Sequence, residues 1–119
     1  MPIVTLTTDF GNKDYFVASV KGAILSQIKE VVIIDISNEI QPYNHSEAAY
    51  ILKNTYKNFP EGTIHIIGVE SELTPENRHI AMCFEEVTNV RIFFTLPRVF
   101  FYTRIFQRKT RVALGLFFI

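Results

Sequence analysis

Short apolar runs along the chain alternate with segments whose apolar residues recur every three or four positions. The runs at 2–7, 31–36 and 63–69 are rich in β-branched residues and bounded by turn residues, which is typical of buried strands. The segments at 14–29 and 44–56 carry one apolar stripe each and predict helices. A further run at 79–84 predicts a fourth strand. This order predicts an α/β fold with three layers, in which helices flank a mostly parallel sheet with right-handed crossovers.

Capping residues mark where the two helices are expected to begin. Asn44 is followed three residues later by Glu47, which is the spacing of a capping box. Asp14 is expected to be the N-cap or a first-turn acid of the first helix, where the helix dipole favours a negative charge.

Polar segments follow each of the first three predicted strands. They are Asp9 with its neighbours, the loop 37–43 and the loop 70–78. Ligands of parallel α/β sheets bind outside the carboxyl ends of the strands. We therefore expect these three segments to lie together along one edge of the sheet.

Candidate ligand-binding residues in these segments each have a structural alternative. Asp9 precedes Gly11 and could accept hydrogen bonds from both hydroxyls of a ribose, or it could cap the first helix, as could Asn12. Tyr43 could stack on a base or a sugar, or be an ordinary loop tyrosine. Glu70 and Arg78 could position a water or a cationic ligand, or form a loop salt bridge.

Several kinds of site are not indicated by the sequence. The three histidines show no metal-ligand spacing, and the single cysteine, Cys83, cannot form a cysteine cluster for zinc. The sequence contains no GxGxxG, P-loop or GxSxG motif. We therefore expect no metal and no cofactor.

Length and composition indicate one domain of a globular protein. The chain has 119 residues, of which 48% are hydrophobic and 20% charged. No segment approaches the roughly 20 uninterrupted apolar residues that span a bilayer, and the N-terminus lacks the basic region of a secretory signal. We expect a cytoplasmic protein that does not bind membranes.

Charge divides the chain at residue 86. All 12 acidic residues lie at or before Glu86 together with six basic ones, whereas the six basic residues beyond it face no acid. A basic aromatic tail can be a nucleic-acid arm, but this one has too much large apolar surface to be solvated, so we expect no nucleic-acid partner. We interpret 1–86 as the domain and 87–119 as an atypical tail, with a shifted reading frame as one hypothesis for its origin.

Three segments carry a resemblance to a known family. They are TLTTDFGNKDYFVASVKGAI, VVIIDISNEIQPYNHSEAAYIL and YKNFPEGTIHIIGVESELTPENRHIA. In order and spacing they resemble the S-adenosylmethionine hydroxide adenosyltransferases, also called SAM hydrolases, which are related to fluorinases and chlorinases. The resemblance implies a homotrimeric enzyme that delivers water, or halide in the halogenases, to the ribose C5′ carbon of S-adenosylmethionine and releases methionine.

The resemblance also implies roles for individual residues. Asp9 would hold the ribose hydroxyls, and Phe10 beside it and Tyr43 would line the nucleoside site. Glu70 and Arg78 would belong to the catalytic set that handles water. S-Adenosylmethionine would be the substrate, and sulfonium is a good enough leaving group for the reaction to need no metal.

The sequence departs from the family pattern in several places. Glu70 replaces an aspartate, and Asn38 stands where histidine is usual. A histidine of the water-handling set and the C-terminal β domain have no counterpart in this sequence. The expected function is therefore SAM hydrolysis by an N-terminal domain that is incomplete as a catalyst. The alternative is a non-catalytic module for nucleoside binding or assembly.

Overall fold

The computed structural model describes residues 1–69 together with the strands at 78–84 and 90–96. In chain order the elements are β1 (Ile3–Thr8), α1 (Phe16–Gln27), β2 (Val32–Ser37), α2 (His45–Thr55), a 3-10 turn (Tyr56–Asn58), β3 (Ile64–Gly68), β4 (Arg78–Phe84) and β5 (Val90–Leu96).

The strands form one mixed sheet with the order β2-β1-β3-β5-β4. β1 pairs in parallel with β2 and β3, and β3 pairs in parallel with β5, whereas β4 runs antiparallel to β5 at one edge. The predicted α/β class with a mostly parallel sheet and flanking helices is confirmed. Because β2 and β3 lie on opposite sides of β1, the expected right-handed crossovers predict that α1 and α2 lie on opposite faces of the sheet.

The core lies around the two central strands and α2. Its most deeply buried apolar side chains come from β1, α2, the loop after β2 and the last part of β3 with the residue after it: Val4, Leu6, Ile40, Ala48, Ala49, Leu52, Ile67 and Val69. Successive residues of β1 point to opposite faces of the sheet. Both faces of β1 are buried, which explains why its sequence is a continuous apolar and threonine run.

The beginning of α2 is as predicted. Asn44 Oδ1 accepts a hydrogen bond from the backbone amide of Glu47 at 3.0 Å, which is the N-cap bond of the predicted capping box. The Glu47 carboxylate reaches back to the amide of Gln41 at 3.0 Å rather than to the cap residue itself.

The predicted start of α1 at Asp14 is wrong. The helix begins at Phe16, and the side chain of its N-cap residue, Tyr15, makes no capping hydrogen bond. Asp14 Oδ1 accepts a bond from the adjacent amide of Tyr15 at 2.7 Å instead. The turn after β1 is therefore longer than the hydrophobic pattern indicated.

β5 lies within 87–119, for which the hydrophobic pattern predicted no element. It lies between β3 and β4 in the sheet. The division of the chain at residue 86 and the origin of the tail stay predictions. Within the described residues, no helix has both the length and the apolar character that crossing a bilayer requires.

Candidate functional site

The topology places a crevice at the carboxyl ends of β1 and β3. β2 and β3 lie on opposite sides of β1 in the sheet. The connection that leaves β1 therefore leads to one side, the connection that enters β3 leads to the other side, and the two diverge between β1 and β3. Such a switch point is where open α/β sheets bind ligands. The last residues of the two strands, Thr8 and Gly68, are register partners. Asp9 is the first residue beyond β1 at this point.

Backbone hydrogen bonds fix the turn that carries Asp9. The Asp9 amide donates to the carbonyl of Gly68 at 3.2 Å, and the Gly11 amide donates to the carbonyl of Asn38 at 2.7 Å. Gly11 has a φ of 72°, a left-handed conformation that favours glycine. Asp9 is thus held between the ends of β1, β2 and β3, with a half-buried side chain.

A buried polar pair joins the end of β1 to the loop after β2. The Thr8 hydroxyl donates to Asn38 Oδ1 at 2.8 Å, and both side chains are at most 3% exposed. The same hydroxyl accepts from the Phe10 amide at 3.3 Å. The Ile40 amide donates to the Thr8 carbonyl at 3.2 Å and adds a backbone link between the two segments.

Phe10 packs over the end of β3. A Cβ atom on Gly68 would lie 3.1 Å from Phe10 Cζ and 3.4 Å from Thr8 Cγ2, so a side chain at this position would require the ring to shift by a few tenths of an ångström. The Phe10 ring lies 6.2 Å from the ring of Phe16, at the start of α1. The close approach of ring and backbone explains the glycine at the end of β3.

A carboxylate from the loop after β2 supports the longer turn before α1. Glu39 Oε1 accepts from the backbone amide of Asn12 at 3.0 Å and from its side-chain amide at 2.9 Å. Asn12 is therefore bound to Glu39 and does not cap the helix, which removes one of the two structural alternatives considered for this segment.

Tyr43 lies in the same loop, at an unusual backbone position. Its φ is 61°, which makes it the one non-glycine residue with positive φ in the part of the chain that the structure describes. Its side chain is 70% exposed. Left-handed backbone at a residue other than glycine costs roughly 1–3 kcal/mol and is concentrated at functional sites. An exposed aromatic ring on such a backbone suits ligand contact better than core packing.

The structure thus brings together two of the three segments expected at this edge, the Asp9 turn and the loop after β2. Glu70 lies outside the described residues. Arg78 is the first residue of β4, of which the structure describes only the backbone. The expected pairing of Glu70 with Arg78 therefore stays a prediction, as do the ligand-binding roles of Asp9, Phe10 and Tyr43.

Among the described residues, the side chain with a shifted pKa is His65, in the core. Its Nδ1 lies 2.6 Å from the Thr5 hydroxyl, and the edge of its ring packs against Phe59 with centroids 5.5 Å apart. Its Nε2 is buried without a hydrogen-bond partner. Burial lowers the pKa of His65 from 6.5 to about 4, so the ring is neutral at pH 7. A neutral, enclosed histidine on β3 contributes to packing rather than to proton transfer at the site.

Metal-ligating side chains are not clustered in the described residues. No three His, Cys, Asp or Glu side chains in the ranges described above lie close enough together to hold an ion. The groups available for binding at the crevice are thus a carboxylate, amides and aromatic rings. Such groups suit a polar organic ligand with hydroxyls and an aromatic or sugar surface.

Two residues of the site were not selected from the sequence as binding or positioning residues. Thr8 and Asn38 form a bond between residues 30 apart in the chain, and no local pattern reports such a contact. The glycine within the apolar run of β3 was the one available signal for a close contact, because glycine inside a strand indicates near approach of another group.

Comparison with protein families gives one match that covers most of the chain. The profile of the SAM hydroxide adenosyltransferase N-terminal domain matches residues 4–91. Among curated proteins, the (R)-S-adenosyl-L-methionine hydrolase of Methanocaldococcus jannaschii is 36% identical over an alignment of 86 residues, and the match covers 69% of this chain and 32% of that protein. The fluorinase of Nocardia brasiliensis is 38% identical over 63 residues, which are 53% of this chain and 21% of the fluorinase.

Solved structures share the same fold. A conserved hypothetical protein from Thermus thermophilus superposes with a TM-score of 0.68 at 25% identity, covering 80% of this chain and 38% of that one. An uncharacterized conserved protein from Thermotoga maritima gives 0.70 at 26% identity, covering 78% and 35%. The chain therefore spans about a third of the length of the hydrolase and of these two structures.

Proposed function

The chain belongs to the SAM hydroxide adenosyltransferase family through its N-terminal domain, and we propose that it binds the adenosyl group of S-adenosylmethionine beside Asp9 and takes part in hydrolysing it. The observation that supports the proposal most is the position of Asp9. It stands at the switch point between β1 and β3, on a turn held by the carbonyls of Gly68 and Asn38.

In this proposal the Asp9 carboxylate accepts hydrogen bonds from the two ribose hydroxyls, as acids do at the edges of other nucleotide-binding sheets. Phe10 and Tyr43 contact the flat faces of the nucleoside. A fixed ribose fixes the adjacent C5′ carbon, and alignment of that carbon with the attacking group is the main requirement of a displacement reaction. The rigid turn around Asp9 serves this alignment.

The proposed reaction is attack of water on C5′. A bond forms between the water oxygen and C5′ while the bond from C5′ to the sulfonium sulfur breaks, and its electron pair passes to the sulfur. The products are adenosine, methionine and a proton that is released to solvent. Glu70 and Arg78 are proposed to hold the attacking water.

A non-catalytic module for nucleoside binding or assembly is the second candidate. The described site itself favours it: Asp9, Phe10 and Tyr43 suit the binding of a nucleoside, and the reaction proposed above gives none of these three residues a part in the attack on C5′. The homotrimer and the cytoplasmic location implied by the family also belong to the proposal, together with the expectation that neither nucleic acid nor membrane is a partner.

Calorimetric titration with adenosine and with S-adenosylmethionine, combined with chromatography of the reaction mixture, separates these functions. Binding with release of adenosine supports the hydrolase, and binding without release supports the module. Parallel reactions with added fluoride or chloride test the nucleophile, because a 5′-halogenated nucleoside appears only when halide attacks. Absence of both binding and release would refute the proposal.

A further inference from the structure

We propose that Asn38 is a positioning residue, which acts through the Thr8 hydroxyl to hold the Asp9 carboxylate in the orientation that recognises ribose hydroxyls. The inference rests on the proposed function, because it assigns Asp9 to those hydroxyls. It adds a specificity role for two residues that have no contact with the reacting atoms in the reaction proposed above.

Asn38 contacts the Asp9 turn on both sides. Its side-chain oxygen accepts from the hydroxyl of Thr8, the residue before Asp9, at 2.8 Å. Its backbone carbonyl accepts from the amide of Gly11, two residues after Asp9, at 2.7 Å. The residues on both sides of Asp9 are therefore hydrogen-bonded to a single residue, Asn38, of the loop after β2.

The Thr8 hydroxyl transmits the position of Asn38 to the turn. It donates to Asn38 Oδ1 and accepts from the amide of Phe10 at 3.3 Å, so its orientation is set from both directions. Thr8 is 2% exposed and Asn38 3% exposed, which leaves little room for water to replace either bond. A buried hydrogen bond of this kind is stronger and more directional than an exposed one.

Loss of the Asn38 amide would therefore disturb the alignment of the turn, in addition to destabilising the fold by leaving the buried Thr8 hydroxyl without its acceptor. The Gly11 bond uses the backbone of Asn38 and survives any substitution there, as does the bond from Asp9 to Gly68. What disappears is the fixed orientation of the Thr8 hydroxyl and of the Phe10 amide that bonds to it. A carboxylate that binds two hydroxyls at once tolerates such a displacement poorly, because both bonds require the same orientation.

The test compares adenosine with 2′,3′-dideoxyadenosine, which lacks both ribose hydroxyls, by calorimetry on three variants. Asn38→Ala and Thr8→Val are expected to weaken adenosine binding about tenfold, the effect of roughly one hydrogen bond. Both should leave dideoxyadenosine binding within about twofold of the unmodified chain. Thr8→Ser keeps the hydroxyl and should retain the original preference for adenosine. Thr8→Val preserves the shape of the side chain, so it serves if Asn38→Ala fails to fold.

Equal losses of affinity for the two nucleosides, or an unchanged preference for adenosine in both Asn38→Ala and Thr8→Val, would overturn the inference. An unmodified chain that does not distinguish the two nucleosides would instead refute the proposed role of Asp9. In that case hydrogen exchange of the Phe10 amide tests separately whether the Thr8 hydroxyl holds the turn in position. Faster exchange of the Phe10 amide in Thr8→Val than in Thr8→Ser supports it, and equal rates overturn it.

Discussion

Acidification is expected to destabilise the fold through His65. The ring is fully buried, with Nδ1 bound to the Thr5 hydroxyl and Nε2 without a partner. Protonation would place a positive charge and a second N–H group in this enclosure. Burial therefore lowers the pKa of His65 in the folded state from 6.5 to about 4, whereas the unfolded chain keeps the ordinary value.

The sign and size of the loss of stability follow from the difference between the pKa of His65 in the folded and in the unfolded chain. Between the two pKa values the unfolded chain binds a proton that the folded chain does not, so stability is complete above pH 6.5 and falls as the pH is lowered toward 4. The full difference corresponds to about 3 kcal/mol, of which about 2 kcal/mol is lost by pH 5. Most carboxylates are still ionised at pH 5, so this window reports mainly on histidine.

The assay is urea denaturation at pH 7.5, 6.5, 5.75 and 5.0. The matched control is the double variant Thr5→Val, His65→Leu, which removes the titrating ring and its hydroxyl partner together and leaves no new buried polar group. The unmodified chain should lose about 2 kcal/mol of unfolding free energy more than the control over this range. Equal losses in both proteins would show that His65 is not the origin of the pH dependence and would refute the reasoning.

Three further substitutions test the geometry of the site and its supports. Asn44→Ala should cost about 1 kcal/mol of unfolding free energy through the lost N-cap bond to Glu47, whereas Asn44→Ser keeps an acceptor; equal stabilities in urea would contradict the capping role. Gly68→Ala should shift the Phe10 ring by a few tenths of an ångström and weaken adenosine binding about threefold in calorimetry, while Gly22→Ala, with nothing within 4 Å of its new Cβ, should not; matching affinities would exclude the contact as a determinant of binding. Tyr43→Asn should raise stability by about 1 kcal/mol, because asparagine tolerates positive φ, and lower nucleoside affinity; loss of stability would indicate that the exposed ring packs against the protein.

The sequence was a good guide to the central sheet and a weaker one to the turns. The strands β1, β2 and β3 are apolar runs separated by helical stripes, and this pattern depends only on which residues are buried. The turn before α1 contains a bond between Asn12 and Glu39, 27 residues apart, and the hydrophobic pattern does not report such a contact. β5 could not be separated from the apolar tail around it, because periodicity alone does not distinguish a buried strand from other apolar segments.

The location of the candidate site could be predicted from the sequence, but the residues that hold the Asp9 turn in place could not. The rule that ligands bind at carboxyl ends of parallel strands selected Asp9 and the loop after β2, and the structure places these two segments in contact. The buried bond between Thr8 and Asn38 was not predictable, because it joins residues that are remote in the chain and of common types. Sequence patterns generally miss positioning residues for this reason, because such residues act through contacts with residues that are distant in the chain.

The central claim is that Asp9 binds the sugar of an adenosyl ligand at the switch point between β1 and β3. A crystal structure of the chain with adenosine tests it most directly. The account predicts both ribose hydroxyls within about 3 Å of the Asp9 carboxylate oxygens, with the nucleoside in the crevice beyond Thr8 and Gly68. A nucleoside bound elsewhere, or one whose hydroxyls contact other groups while Asp9 stays apart, would contradict it.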